Sequence, residues 1–308
     1  MSLTDDAQTQ DRLTQAQLAA IENEIKSSQP LTSQLLPISA LLNQYSNTSG
    51  NVNERQQSAG FIQSAQFLST KYTSLRRVRG DGNCYYRAFL YSLCEHLLLQ
   101  NSIKNGASNE FSRIKTTIVN SLKWVCQFGY EEMTIDVFYE ELVELFDCIE
   151  KSLNADNDKS AAVETTKDEL HAKLNEENST SDYCTWYLRV LTAAQMKSNP
   201  DRFLPFLLAD ELNDNVMMDI PTFCSREVEP MGKECGMVTV AALAECLGVK
   251  VVIEYMDGRL SDNAAGGSVV NHVFGEINDE DGGGNDDARK DGICLTLLYR
   301  PGHYDILY

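Results

Sequence analysis

The chain has 308 residues, 43% of them hydrophobic, which is enough for one large folded domain or two small ones. Its 26 basic and 45 acidic residues give a net charge of −19, which argues against nucleic acid as a partner because such a field repels phosphate. Met1–Gln10 lacks a signal-peptide pattern, and the longest apolar stretch, Val238–Ile253, is too short and too interrupted to cross a bilayer. We therefore expect no membrane partner and a location in the cytoplasm, with the nucleus as a second compartment.

Nine cysteines are scattered between Cys84 and Cys294 with no C-x-x-C pair. A disulfide framework concentrates its cysteines in a short chain, and a zinc site pairs them closely. We expect reduced thiols, most of them buried.

Residues 1–45 are rich in Gln, Ser, Asn and Thr, with apolar residues at roughly helical spacing. The next stretch, Ser46–Ser58, has the composition of a linker. We predict a flexible, partly amphipathic N-terminal arm over residues 1–45 that can dock on a partner. A folded domain over residues 46–308 follows.

Helical spacing dominates the middle of the chain. The predicted helices are Phe61–Tyr72, a helix that begins close to Cys84, Phe111–Phe128, Thr134–Ser152 and Ser181–Met196. Residues 153–180 are charged and polar, and their pattern fits either an exposed helix or a loose surface excursion.

The last third of the chain contains the strands. An apolar helix, Val238–Leu247, is followed by β-branched and apolar runs that end in turn residues. The predicted strands are Val249–Tyr255, Ile293–Arg300 and His303–Tyr308, with an acidic, glycine-rich loop over residues 275–292. Helices first and strands last predict an α+β domain in which helices flank a small sheet.

Cys84 is the first candidate for chemistry. A thiol in the first turn of a helix lies at the positive end of the helix dipole, which favours the thiolate. Gly80 and Gly82 let the preceding loop turn so that backbone N–H groups converge as in an oxyanion hole, and Asp81 and Asn83 can shape that loop. The alternative is a buried cysteine beside an ordinary helix cap.

Four histidines are available as a general base. His96 lies twelve residues after Cys84 on the same helix, about 18 Å away, which is too far. His171 falls in the polar segment and is predicted to be a surface residue, and His272 is ambiguous. His303 starts a strand, and Asp305 shares its face and can orient its imidazole, which completes a Cys-His-Asp set. The alternative for this pair is an exposed strand end.

Asp81–Phe89, with the sequence DGNCYYRAF, resembles the nucleophile signature of the ovarian-tumour (OTU) deubiquitinases, and the similarity to the otubain subfamily runs through most of the chain. The segments that carry it are Arg76–Phe89, Ser181–Tyr183, Phe223–Glu234, Val252–Gly258 and Leu297–Tyr308.

This resemblance implies a papain-like cysteine peptidase fold, with a small mixed sheet flanked by helical lobes, over residues 46–308. It implies hydrolysis of isopeptide bonds between the ubiquitin C-terminus and lysine. Cys84 is then the nucleophile, His303 the general base and Asp305 its orienting carboxylate, while Asp81 belongs to the active site through the oxyanion loop. No metal or organic cofactor is implied. Ubiquitin and polyubiquitin are the expected partners of a monomer, with ubiquitin-conjugating E2 enzymes as further partners through the arm.

Three features depart from the family pattern. Tyr85 stands where the motif usually has Phe. Cys235–Thr239 replaces a stretch that usually reads Ser-Asp-His-Ile-His, which can change the surface near the site. The acidic loop at 275–292 is long, and three alternatives remain: it gates access, it meets the arginine-rich tail of ubiquitin, or it is a solvated insertion.

Two other functions remain open at this stage. The arm suits a regulator that binds ubiquitin-charged conjugating enzymes without cutting. A hydrolase of the same fold can also act on another ubiquitin-like modifier.

Overall fold

A computed structural model describes residues 16–17, 20–21, 23–46, 52–103, 108–154, 159–211, 218–260, 269–275 and 292–308. Two regions discussed above lie largely outside these residues: the first part of the predicted N-terminal arm and residues 276–291 of the acidic loop.

Six strands of the described chain form one mixed sheet. They are β1 (Leu36–Pro37), β2 (Ser74–Arg76), β3 (Lys250–Tyr255), β4 (Val270–Phe274), β5 (Cys294–Arg300) and β6 (His303–Leu307). Their order across the sheet is β1-β2-β6-β5-β3-β4, and neighbours are antiparallel except for the parallel pair β3 and β5. The α+β class with a small mixed sheet is therefore confirmed. The three predicted strands are also confirmed, and each of their ends agrees to within one residue.

Helices occupy most of the described chain before β3 and surround this sheet. They are α1 (residues 23–28), α2 (Ser39–Ser46), α3 (Val52–Lys71), α4 (Cys84–Ile103), α5 (Ser108–Val125), α6 (Glu132–Leu153), α7 (Lys159–Leu174), α8 (Thr180–Ser198), α9 (Pro200–Glu211), α10 (Ile220–Phe223) and α11 (Met237–Leu247). A turn of π-helix, Cys224–Val228, continues α10. Among the described residues, none of these helices has the length and apolarity needed to span a bilayer.

α4 is the central helix of the core. Almost every residue from Tyr85 to Leu98 is buried, on all sides of the helix, which is typical of a helix enclosed by other elements rather than lying on a surface. It packs against β6 on one side and against α6, α7 and α8 on the others. Because the helix is fixed in this way, its first residue, Cys84, has a defined position beside the sheet.

Part of the predicted N-terminal arm packs on the sheet. β1 pairs with β2, Thr32 forms a bridge with Val78, and α2 packs on α3, where Tyr45 stacks on Phe61 at 4.8 Å between ring centroids. The domain division at residue 45 stays a prediction. The linker predicted over Ser46–Ser58 is wrong from Val52 onward, because its Glu, Arg and Gln residues have good helix propensity and extend α3.

Residues 159–174 form a packed helix rather than a loose excursion. Leu170 and Leu174 of α7 are buried and join the main core. His171, predicted to be a surface residue, is half-buried, and its Nδ1 lies 2.9 Å from the Tyr91 hydroxyl. The surface prediction for His171 is therefore wrong, because the few apolar residues of this polar helix bring one face of it onto α4.

Candidate active site

Cys84 is the first residue of α4 and is 3% exposed. The first turn closes when the Arg87 amide donates to the Asn83 carbonyl at 3.1 Å. The first backbone N–H groups of a helix have no partner within it, so the amides around Cys84 and the helix dipole both favour negative charge at this point. The predicted helix start at the thiol is confirmed.

His303 and Asp305 lie on β6 with their side chains on the same face. The imidazole Nε2 is 3.0 Å from Asp305 Oδ1, which leaves Nδ1 as the ring nitrogen for the hydrogen bond with Cys84. Burial disfavours the imidazolium, but the hydrogen bonds and negative charges of Asp305 and Cys84 outweigh it and raise the His303 pKa to about 9. The arrangement therefore favours the imidazolium form of His303 beside the Cys84 thiol at neutral pH.

Asp305 is fully buried and is held from several sides. Its Oδ1 accepts the Val78 N–H at 3.0 Å in addition to His303, and its Oδ2 accepts from Arg300 Nη2 at 2.5 Å. Burial acts to raise the Asp305 pKa, but these donors and the two cationic neighbours outweigh it, so the net shift is downward. The carboxylate thus stays ionised where it faces the histidine.

Asp81 lies in the loop before Cys84 and shapes that loop. Its Oδ1 accepts the Asn83 N–H at 3.1 Å, and both of its oxygens accept from Arg87 Nη1 at 2.5 Å. Arg87, 4% exposed at its side chain, donates from Nη2 to Asp182 at the start of α8. Asp81 therefore orders the backbone of the loop, and Arg87 links it to Asp182 of α8.

Glycines make close contacts around this loop. Gly82 has φ +76°, and a Cβ there would lie 2.1 Å from the Gly232 carbonyl oxygen. A Cβ on Gly80 would lie 3.4 Å from His303 Nδ1. Only glycine at position 82 can adopt this left-handed conformation without strain and keep the backbone contact with Gly232.

The four predicted site residues, Asp81, Cys84, His303 and Asp305, are brought together at the junction of α4 and β6. The other histidines are not. His96 lies inside α4, His171 contacts Tyr91, and His272 on β4 packs edge-on against Tyr255 with 5.9 Å between ring centroids.

The family departure at Tyr85 has a clear environment. Its ring packs against Tyr304 of β6, with centroids 5.3 Å apart, and its hydroxyl donates to the Val240 carbonyl at 3.3 Å. The added hydroxyl is thus accommodated in the core beside the site. Cys235, in the second departure, is also buried, and its carbonyl accepts from Tyr304.

Sequence reasoning missed Arg87 and Arg300 as parts of the site. Arg87 stands three residues after Cys84, one helical turn on, and Arg300 stands three residues before His303 across a tight turn. The closeness of these two arginines in sequence to Cys84 and His303 was the signal that could have identified them as parts of the site. All nine cysteines are described and are free thiols, and no group of three or more metal-ligating side chains occurs among the described residues.

Comparison with known proteins places the chain. The family model for otubains, peptidase C65, matches residues 24–308. Rattus norvegicus ubiquitin thioesterase OTUB1 is 33% identical over 298 residues, 97% of this chain and 90% of that protein. The Arabidopsis thaliana ovarian tumor domain-containing deubiquitinating enzyme 1 is 32% identical over 251 residues, 80% of this chain and 73% of that protein. A solved complex of h/ceOTUB1 with ubiquitin aldehyde and UBCH5B~Ub has a TM-score of 0.71 at 27% identity, covering 97% of this chain and 98% of that one. The chain therefore belongs to the otubain family of cysteine peptidases.

Proposed function

We propose that this chain is a deubiquitinase that hydrolyses the isopeptide bond between the C-terminal glycine of ubiquitin and a lysine of polyubiquitin or of a modified protein. The observation that carries the proposal is the series of contacts from buried Cys84 through partly buried His303 to fully buried Asp305. Otubain relatives named as ubiquitin thioesterases support the choice of substrate.

The reaction follows from the charges in the site. The Cys84 thiolate attacks the glycine carbonyl, and the new oxyanion faces the free amides at the start of α4. The His303 imidazolium then gives its proton to the lysine amine, the C–N bond breaks, and ubiquitin remains as a thioester on Cys84. Neutral His303 next takes a proton from water, whose oxygen attacks the thioester and releases ubiquitin with the thiolate restored.

Asp305 and Asp81 have supporting roles in this scheme. Asp305 keeps the imidazole oriented and stabilises its charged form, because its carboxylate is buried and ionised. Asp81 holds the loop through the Asn83 amide and Arg87. All four roles can be performed by this chain's own side chains, without a metal or an organic cofactor.

Isopeptide-linked di-ubiquitins of defined linkage test the proposal and reveal the linkage preference. We expect the wild type to cleave at least one linkage and Cys84→Ala to cleave none. Cys294→Ser is a matched control, because Cys294 is exposed on β5 and takes no part in the site. Cleavage by Cys84→Ala, or no cleavage of any linkage by folded wild type, would contradict the proposal. Probes built on other ubiquitin-like modifiers test in parallel whether the chain hydrolyses one of those modifiers instead.

Binding of ubiquitin-charged conjugating enzymes is a second candidate function, and it can coexist with catalysis. The observation that favours it is the likeness to solved OTUB1 complexes that contain UBC13~Ub or UBCH5B~Ub. Pull-down of a ubiquitin-charged E2 by Cys84→Ser protein, lost when residues 1–30 are deleted, is the expected result. Equal capture without those residues would argue against a role for this part of the arm.

A further inference from the structure

Arg189 of α8 is an unusual residue in the core. It is the largest fully buried side chain among the described residues, with 1% of its surface exposed. Buried arginines normally face a carboxylate. Here the four described oxygens that accept its hydrogen bonds are three backbone carbonyls and one side-chain amide.

These four bonds join two separate segments. We call residues 80–83 the catalytic loop and residues 228–233 the facing segment. From the catalytic loop, Gly82 O and Asn83 Oδ1 accept from Arg189 Nη2 at 2.9 and 2.8 Å. From the facing segment, Val228 O accepts from Nη1 and Lys233 O accepts from Nη2, both at 2.8 Å.

The two segments also touch directly beside the arginine. Asn83 Oδ1 accepts the Gly232 N–H at 2.9 Å as well as the Arg189 bond. The Gly82 backbone lies against the Gly232 carbonyl so closely that a Cβ would not fit. A single planar guanidinium therefore fixes the residues that immediately precede Cys84 and orients the backbone from which α4 begins.

The charge of Arg189 is not neutralised by an ion pair within the described residues. Its guanidinium lies 4.5 Å from the centre of the Tyr86 ring and binds Gly82 O and Asn83 Oδ1, so the charge lies against residues on both sides of Cys84 in the chain. Burial lowers the Arg189 pKa, whereas negative charge at its neighbours, Cys84 among them, acts in the opposite direction. Because the guanidinium binds the two residues that precede Cys84, its positive charge lies where it can stabilise the oxyanion that forms beside the thiol.

We propose that Arg189 is a positioning residue of the active site, which clamps the catalytic loop to the facing segment and supplies a buried positive charge behind Cys84. This inference rests on the proposed function for the identity of the substrate. The contacts of Arg189 do not depend on that function. Lysine cannot replace it, because an ammonium group presents its donors from one point and cannot bind Val228 O, which Nη1 reaches, together with the three oxygens that Nη2 reaches.

Three variants test the proposal. Arg189→Lys keeps the charge without the fork, and Arg189→Met removes both. Arg113→Met is the matched control, since Arg113 also binds two backbone carbonyls, Leu247 O at 2.8 Å and Gly248 O at 2.9 Å, away from the site. Each is measured for kcat and KM on a cleavable di-ubiquitin and for melting by circular dichroism.

We expect Arg189→Lys to lower kcat on the order of 100-fold with KM within about threefold of wild type, because a misplaced oxyanion site affects the transition state more than binding. Arg113→Met should change neither constant. A purely structural arginine would instead lower the folded fraction and leave kcat per folded molecule unchanged, and that result would overturn the proposal.

A second readout needs no ubiquitin. The rate at which iodoacetamide alkylates Cys84, followed by mass spectrometry of the peptide that contains it, should fall at least about tenfold in Arg189→Met and stay unchanged in Arg113→Met. If wild type cleaves no ubiquitin substrate, the proposed function fails while this rate still tests Arg189. An unchanged rate in folded Arg189→Met contradicts the electrostatic role.

Asn83→Ala covers the case in which the Arg189 variants do not fold. It removes one of the four acceptors and the bond to Gly232 but leaves the buried cation in place. We expect kcat to fall with KM unchanged. Wild-type kcat in Asn83→Ala would overturn the clamp.

Discussion

Arg300 Nη2 donates to Asp305 Oδ2 at 2.5 Å, on the carboxylate oxygen that His303 does not use. The guanidinium reaches in the other direction to Gln44 Oε1 at 3.1 Å and the Tyr45 hydroxyl at 3.2 Å, both in α2. The orienting carboxylate of the candidate site is thus held by an arginine that is itself held by a helix near the N-terminus. This contact makes α2 part of the support of the site.

Replacing Arg300 should therefore damage both folding and activity. Arg300→Met removes one of the two cationic neighbours of the fully buried Asp305 carboxylate, and breaking a buried pair in this way costs about 3–5 kcal/mol. Urea denaturation measures the loss. Arg202→Met is the control, since its pair with Glu245 leaves Arg202 58% exposed and should cost no more than about 1 kcal/mol. Equal costs for the two variants would show that the Arg300 contact does not stabilise the site.

The His303 pKa sets the pH range of activity. The imidazolium must donate a proton to the departing amine, so kcat/KM should hold through neutral pH and fall as pH rises through about 9. This fall of kcat/KM at high pH belongs to the coupled Cys84–His303 pair. In Asp305→Asn, which removes the charge that favours the imidazolium, the fall should occur at lower pH. A fall at the same pH as in wild type would show that another group causes it.

The same shift links His303 to stability. Its folded pKa lies above the unfolded value of 6.5, so its contribution is complete below that pH and is lost as pH rises through about 9. Circular dichroism at each pH therefore has to accompany the kinetics, so that loss of structure and loss of the imidazolium are measured separately.

Gly82 should not tolerate a side chain. Gly82→Ala places a Cβ 2.1 Å from the Gly232 carbonyl oxygen and strains a residue at φ +76°, a conformation that costs about 1–3 kcal/mol without glycine. We expect a lower melting temperature and a loss of kcat. Gly236→Ala is the control, because its φ is −82° and nothing lies within 4 Å of the added Cβ. Wild-type kcat in Gly82→Ala would show that the loop geometry is not needed.

The candidate catalytic side chains could be found from the sequence because the pattern around each one is local. Cys84 begins an apolar helix after a glycine-rich turn, and His303 and Asp305 alternate on one strand. The thiol, the base and the carboxylate each follow from spacing within a few residues. Their meeting in space follows from the packing of α4 on β6, which the family resemblance implied and spacing did not.

The supporting residues were hidden because their partners are distant in the chain. Arg300 and Gln44 are separated by 256 positions, and Arg189 and Gly82 by 107. Arg189 did leave a signal, since it is the one charged residue in the apolar run from Tyr187 to Leu191. A cation at a core position implies an acceptor set, but nothing local says which oxygens provide it.

The edge strands were also missed, for a different reason. β1 has two residues, and β4 is mostly exposed, so neither shows the alternation of buried and exposed positions that marks a strand. Both are defined by pairing with β2 and β3 rather than by their own composition.

A ubiquitin that carries a C-terminal electrophile tests most directly whether Cys84 is the nucleophile of a ubiquitin hydrolase. Wild-type protein should gain the mass of one ubiquitin, with the modified peptide containing Cys84, and Cys84→Ser should gain none. Properly folded wild type that forms no adduct, or an adduct at another cysteine that persists in Cys84→Ser, would contradict the account.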